Sequence, residues 1–510
     1  MTTFSDFRHG GCEDFLAPEQ YVQYLGEYCT HFKLWPRILL VTRVLAVTRR
    51  QGGGHVVTYA TGSGHGQSEW ECDAVAVCSG LHVEPNIPHI SGIENVPLVF
   101  HSSLFKRRKQ FGVDKTVMVV GSGETAADVA YLAVTSPTRR VVMCHRDGFH
   151  LAPKRNPGPV LLPVLGRKPS SKEAGIPIDV SRANLFDTTY VHPLLRESML
   201  LWDYYNWYIK ALLWVSAGST MGMDQWIGGV GHERHHPSKI FFNKSDKIGP
   251  YISLPYRPKH PGWGLWLYAL RSALVQRPVL DTEGKQIDLA PWPEAIDGKG
   301  FVRFRNNGRP EFERMSKERI KPDVVVLCTG YKQSFAFFQP CRSPKDRAYP
   351  VASDADVRGI WKRDEPTVGF IGFIRPSFGA IPPLAEMQAQ LWIVNLLAPR
   401  RIPRALVPED EAHYRLLHPP ASRISYGVDH ESYTYQLALD LGSAPGVTDV
   451  LRLVDCSLQA WKLVIIWAFG AHFNTKFRLQ GPWEWHGARD LLVSREFWET
   501  ITRRPLFFGQ

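Results

Sequence analysis

Residues 19–32, EQYVQYLGEYCTHF, carry apolar or aromatic side chains at Tyr21, Val22, Leu25, Tyr28, Cys29 and Phe32. That spacing lines one helical face and predicts an amphipathic helix. Segments 38–48 and 55–60 are instead rich in β-branched residues, and 73–78 (DAVAVC) is a short apolar run, so strands are expected there. Between the last two lies GSGHGQ, residues 62–67. No helical pattern opens after it and polar residues flank it, so it reads as a hairpin turn and not as a nucleotide loop.

Pro85, Pro88 and Pro97 mark an extended connection, after which 116–121, 124–133 and 140–144 read as strand, helix and strand, a compact βαβ unit. Residues 151–262 are rich in Pro, Trp, Tyr and His and fit no βαβ repeat; they read as an insertion with a helix near 194–217. Apolar runs at 323–329 and 367–373 predict two more strands, followed by helices at 383–397 and 451–469.

Length and charge narrow the class. A chain of 510 residues suggests about three domains, or two with insertions. With 44% hydrophobic and 21% charged residues it has the composition of a globular protein. Sixty Lys and Arg against 49 Asp and Glu give +11, which favours anionic ligands without choosing among nucleotide, nucleic acid and acidic lipid. The eight cysteines form no C-x-x-C, and are expected to be reduced, mostly buried thiols. The N-terminus shows no signal-peptide pattern, and the apolar stretches 211–223 and 463–471 fall short of the roughly 18 residues that span a bilayer. An intracellular, non-spanning protein is expected, cytoplasmic or peripheral on an internal membrane.

The strongest chemical signal is VMVVGSGETAADVAYLAV. Its Gly121, Gly123 and Ala126 form G-x-G-x-x-A directly after a strand and at the head of a helix, with Ser122, Glu124 and Thr125 between them. Gly121 permits the tight turn, Gly123 lets the backbone approach a diphosphate, and Ala126 allows close packing of helix on strand. The N–H groups and dipole of the helix start then face the phosphates. At the end of the second strand, NAD enzymes place an acid, whereas this chain offers His145 and Arg146, which favours NADPH. Two further segments, DAVAVCSG and DVVVLCTG, end apolar runs in Ser79-Gly80 and Thr329-Gly330. Those glycines suit either a simple reversal of the chain or close approach of a ligand.

Taken in order, these pieces resemble the flavin-containing monooxygenases of the dimethylaniline monooxygenase type. The resemblance runs through TFSDF (3–7), VCSGLHVEPNIP, GSGETAAD, HRDG, SAGSTMGMDQW (216–226), LCTGY, GFIGFIRPSFGAIPPLAEMQAQ (369–390), VDHESYTYQLA (428–438) and GPWEWHGARD. The family's F-x-G-x-x-x-H-x-x-x-[F/Y] segment falls on 95–105, where His101, Phe105 and the following Lys106 agree but Asn95 and Pro97 replace Phe and Gly. Phe105-Lys106, in place of Trp-Pro, leans toward heteroatom oxygenation; His101 itself could equally be an ordinary exposed residue.

The resemblance implies an α/β chain with two dinucleotide-binding, Rossmann-like domains. An NADPH domain (114–320, with the Trp-rich insertion at about 151–262) would interrupt a discontinuous FAD domain (1–113 and 321–510). That FAD domain would be truncated at its N-terminus, because the family's first G-x-G-x-x-G and an Asn beside the flavin precede the TFSDF-like segment. Implied cofactor contacts are Ser79, Gly80, Thr329, Gly330, Gly372, Pro382 and Glu386 toward FAD, His101 and Ser102 in the family segment, and the Gly121 loop with Arg146 toward NADPH. The implied reaction transfers one atom of O2 through a flavin hydroperoxide to a soft nucleophilic small molecule, an N- or S-oxygenation. Three other readings stay open: Baeyer–Villiger oxygenation of a ketone, a non-catalytic NADPH-binding remnant, and peripheral membrane contact through the aromatic stretch at 202–214. Nucleic acid is not expected as a partner, the lack of C-x-x-C opposes a dithiol reductase, and the oligomeric state is left open.

Overall fold

The apolar face at 19–32 folds as helix α1 (Pro18–His31), started by Pro18 and by the Gln20 side chain, which accepts from the Ala17 N–H at 2.7 Å. Its buried Tyr24 hydroxyl accepts from Phe4 N at 2.8 Å and donates to Phe7 O at 2.9 Å, pinning the N-terminal segment. The computed structural model describes residues 3–10, 16–62, 66–146, 148–151, 160–161, 242–243, 245–252, 266, 275–276, 280–339, 348–376, 379–402, 414–416, 425–454, 458–469 and 472–502. The helix expected at 194–217, the aromatic stretch at 202–214 and nearly all of the insertion lie outside them.

After α1 come three antiparallel strands, β1 (Thr42–Arg49), β2 (His55–Thr61) and β3 (Gln67–Cys72). β1 starts at Thr42 instead of 38 because Val41 sits at φ +53°, a left-handed conformation that breaks an extended chain. The β2–β3 ladder closes to Ala60↔Gln67, as the hairpin reading of 62–67 requires. Strand β4 (Val75–Val77) then leads toward Ser79-Gly80.

The main sheet takes β5 (Leu98–His101), β6 (Thr116–Val120), β7 (Arg140–Cys144), β8 (Ile287–Ala290) and β9 (Val324–Leu327) in the order β8-β7-β6-β9-β5, all parallel. A parallel sheet covered on both faces needs nearly continuous apolar strands, and these supply them. Helix α2 (Glu124–Val134) buries Ala126, Ala127, Val129, Ala130, Ala133 and Val134 on one face, while Ile90, Ile296, Phe304 and Met315 cover Met118, Val120 and Val142 on the other. β5 lies before the expected boundary at 113/114 and β9 after the one at 320/321, yet both pair within this sheet. The boundaries drawn from sequence therefore cut one structural unit. Before β6, Arg108 of the basic stretch RRKQF (107–111) donates through Nη1 to Leu132 O at 3.0 Å and Thr135 O at 3.2 Å, satisfying the carbonyl end of α2.

The second core is built on β10 (Glu365–Phe370), which lies between β4, parallel to it, and the short strand Trp361–Lys362. Helix α3 (Ile381–Leu397) packs Leu384, Met387 and Leu391 against Tyr433 and Leu437 of α4 (His430–Asp440). The region expected as one helix over 451–469 contains two, Val447–Arg452 and α5 (Leu458–Phe469). Of the five cysteines among the described residues only Cys144 and Cys328 are buried; Cys29 and Cys72 are half-buried and Cys78 is exposed, so most of these thiols are more open than expected. No helix among the described residues is long and apolar enough to cross a membrane.

Candidate functional site

Strand order reverses at β6: β7 and β8 lie on one side of it, β9 and β5 on the other. In open parallel sheets such a switch point leaves a crevice beyond the carboxyl ends of the strands, and ligands bind there. Gly121 occupies that point, at φ +130°, with its N–H donating to Cys144 O at 3.0 Å. A Cβ on it would lie 2.3 Å from Cys328 O, so only glycine lets β6 and β9 end side by side. Gly123 caps α2 in an extended conformation, and a Cβ there would meet nothing within 4 Å. Gly123, Glu124 and Thr125 are exposed, while Ala126 is fully buried and packs on the sheet. The diphosphate of NADPH fits this cradle.

The end of β7 separates His145 from Arg146. His145 is buried, accepts from Gly148 N at 3.0 Å through Nδ1, and points Nε2 at Glu311 Oε1, 3.0 Å away. Burial opposes the Glu311 charge, but His145 and Arg309 around it hold its carboxyl below the usual range. That pair anchors the short helix Pro310–Met315 and leaves His145 no ligand role. Arg146 is exposed, with its guanidinium 5.9 Å from the Trp292 ring, its carbonyl held by Asn307 Nδ2 at 3.2 Å, and no acidic partner among the described residues. An exposed guanidinium of this kind has the chemistry to grip a phosphate.

At the ends of β9 and β5, His101 turns out to be a buried latch, not an exposed residue. Its Nδ1 accepts from Ser103 N at 3.2 Å, and Nε2 donates to Gly330 O at 3.0 Å. Burial lowers its pKa, with the Gly330 carbonyl opposing, so the neutral ring is favoured. Asn86 holds the same loop: its N–H donates to Gly330 O at 2.9 Å, its Nδ2 to Thr329 O at 3.2 Å, and its carbonyl accepts from the Thr329 hydroxyl. Ser102 hydrogen-bonds Cys328, whose thiol burial pushes up to about 12, too high for a nucleophile.

Ser79-Gly80 and Gly372 lie together at the carboxyl ends of the parallel pair β4 and β10, where Ile371 N donates to Val77 O at 3.0 Å. Gly80 (φ +78°) faces open space, and Gly372 (φ +81°) lies against Ile381 in the first turn of α3. Gly372 is fixed by a buried relay: its N–H donates to Gln388 Oε1 at 2.8 Å, Gln388 to the Tyr433 hydroxyl at 2.8 Å, and Tyr433 to Arg358 O at 2.6 Å. Two strand ends and a helix start fit the ring-bearing half of a flavin. The described residues hold no second strand, Gly-x-Gly and helix start for its diphosphate. The two crevices are joined by the 80–86 connection, whose His82 ring lies 4.9 Å from that of Tyr331. Beside Tyr331 opens a cavity of about 260 Å³, walled by Phe373, Tyr414 and Tyr426.

Pro382 is half-buried in the first turn of α3, but the Glu386 carboxylate is used elsewhere. It accepts from Ser5 N at 3.1 Å, from Asn474 Nδ2 at 2.9 Å and from Arg478 Nη1 at 3.3 Å, which ties the N-terminal segment to the C-terminal region. Burial raises its pKa, with Ser5 and Asn474 opposing. Sequence reasoning did not single out Asn86, Glu311 or Tyr331 as parts of this architecture; Asn86 and Tyr331 lie inside the quoted segments VCSGLHVEPNIP and LCTGY, whereas Glu311 had no local signal. No cluster of three metal-ligating residues occurs among the described residues.

Residues 1–155 and 302–504 match the family description "Flavin-binding monooxygenase-like". The chain belongs to that family. It is 50% identical over 506 residues to monooxygenase cfoE of Aspergillus candidus, covering 99% of this chain and 83% of that protein. Monooxygenase PC-14 of Penicillium crustosum is 46% identical over 508 residues, 99% of this chain and 83% of its own length. A dimethylaniline monooxygenase, N-oxide-forming, of Pan troglodytes is 24% identical, covering 97% of this chain and 80% of that protein. The cofactors of this flavin-binding monooxygenase are thus FAD and NADPH, and it is an oxidoreductase with an α/β fold.

Proposed function

We propose that this flavin-binding monooxygenase oxygenates a nitrogen or sulfur atom of a small molecule at the junction of its two crevices. The observation that carries the reading is the Thr329-Gly330 loop, which ends the NADPH-side strand β9 and is latched by His101 and by Asn86 of the connection to the flavin side. FAD, when bound, supplies the redox and oxygen-transfer chemistry. The chain's own part is to bind, orient and exclude water. The start of α2 with Gly123 holds the diphosphate of NADPH, Arg146 takes its 2′-phosphate, and Ser79-Gly80 with Gly372 seats the flavin. An amine or sulfide attacks with its own lone pair and needs no base, which agrees with a site that contains a neutral His101 and an inert Cys328 thiol. The cavity beside Tyr331 would admit a small substrate.

Purified protein supplied with FAD should show flavin absorbance and NADPH-dependent oxygen uptake that rises with a tertiary amine or a thioether but not with a cyclic ketone. Stimulation by the ketone alone would favour Baeyer–Villiger chemistry, and NADPH binding without oxygen uptake would leave a non-catalytic binder. Arg146→Ala should raise the KM for NADPH at least about tenfold, the value of one lost charge-assisted hydrogen bond, with little effect on NADH. Equal changes for both cofactors would remove Arg146 from the 2′-phosphate site.

A further inference from the structure

Two clamps grip the chain on either side of the α3 start. Before it, the His430 ring presses on Gly379 (φ +124°), where a Cβ would lie 2.2 Å from His430 Cδ2. After it, Asn474 Nδ2 donates to Pro383 O at 2.6 Å and to Glu386 Oε2 at 2.9 Å. Both contacts require the amide nitrogen, so Asn474 Oδ1 faces the other way. The clamps share a cavity of about 30 Å³, bordered by Phe4, Ser5, Pro383, His430, Glu431, His472 and Asn474. Four buried polar atoms of its walls have no hydrogen-bond partner: His430 Nε2, both ring nitrogens of His472, and Asn474 Oδ1. The His472 N–H donates to Glu431 Oε2 at 2.8 Å, but its ring stays out of reach of that carboxylate, with Nε2 3.9 Å away.

We propose that this cavity is a binding site for one water molecule, and that through it His430, His472 and Asn474 act as positioning residues for the first turn of α3. The cavity has room for a water, whose two donors and two acceptors suit it to bridge His430 Nε2, Asn474 Oδ1 and one of the two diverging ring nitrogens of His472. A neutral His472 ring can meet that water with either a donor or an acceptor, according to its tautomer. Burial, reinforced by Lys476 and His430 and opposed by Glu431, lowers its pKa to about 3 and keeps it neutral. The bridge makes one unit of the Gly379 clamp and the Asn474 clamp, and the turn it holds packs on Gly372. Its importance for the flavin rests on the function proposed above; its effect on α3 does not.

The test is amide hydrogen exchange on the full chain, with a crystal structure of the parent at a resolution that shows waters. An ordered water within hydrogen-bonding distance of at least two of the four atoms is expected. In His472→Leu the amides of residues 384–387 should exchange at least fivefold faster, while those of β6 and α2 stay unchanged, and His472→Gln should restore protection. A dry cavity, equal exchange in parent and leucine variant, or a uniform rise through the whole chain would each overturn the proposal. Should His472→Leu not fold, the water position and the glutamine variant still decide it. If the parent binds no flavin, the proposed function fails while the exchange result stands on its own.

Discussion

Gly121→Ala is expected to damage the fold and NADPH binding together, whereas Gly123→Ala, two residues away, should damage binding alone. At 121 the new methyl would lie 2.3 Å from the Cys328 carbonyl oxygen, a backbone atom of the neighbouring strand, and the residue would be held at φ +130°. Neither conflict is relieved by a rotamer change. The strand ends must part, at a cost of about 3–5 kcal/mol, the range of the most damaging single substitutions. That should lower the melting temperature by roughly 5 °C or more. At 123 the methyl enters open space, so stability should stay within about 0.5 kcal/mol of the parent. The same methyl stands where a diphosphate must approach the helix start, and NADPH affinity should fall roughly tenfold. Thermal unfolding and NADPH titration of the two variants check both arms. If Gly121→Ala melts with the parent, the close contact of β6 and β9 does not exist.

The contrast also shows how far the sequence could be read. The β6, α2 and β7 unit is legible because all its determinants are local: an apolar run, Gly-x-Gly, a helical face and a second apolar run within 29 residues, 116–144. What Gly121 must avoid, Cys328, lies far along the chain, and no periodicity announces that β5 and β9 join the same sheet. The same reason splits His145 from Arg146. Both are basic residues at a strand end, but Glu311 captures one and leaves the other in solvent. His101 was ambiguous because its partner, Gly330, is 229 residues away. For Glu386 the resemblance pointed to the flavin, while a serine 381 residues distant, together with Asn474 and Arg478, takes up its carboxylate. The turn glycines and the exposed cation were readable where short-range geometry decides them; buried polar partners were not, because only the fold brings them together.

The second large effect is expected at Asp440→Ala. Arg358 and Asp440 are fully buried, joined through Nε to Oδ2 at 2.6 Å and Nη2 to Oδ1 at 3.1 Å, and Gln436 donates to Asp440 Oδ1 at 2.8 Å. Burying such a pair gains little over an apolar substitute, because desolvation offsets attraction. Removing one member is different, since the buried guanidinium then loses its bidentate carboxylate, at a cost of about 3–5 kcal/mol. Here the damage should not stay local. The Arg358 carbonyl holds the Tyr433 hydroxyl, which holds Gln388, which holds the Gly372 N–H at the flavin-side strand end. Asp440→Ala should therefore lower both the melting temperature and FAD affinity, while NADPH binding to the folded fraction stays close to that of the parent. The double substitution Arg358→Met, Asp440→Leu should recover more than half of the lost stability, because it removes both charges at once. If the double variant is as unstable as the single one, the ion pair's charge balance is not what fails. If the single variant is as stable as the parent, the pair is not buried, and the relay to Gly372 loses its anchor.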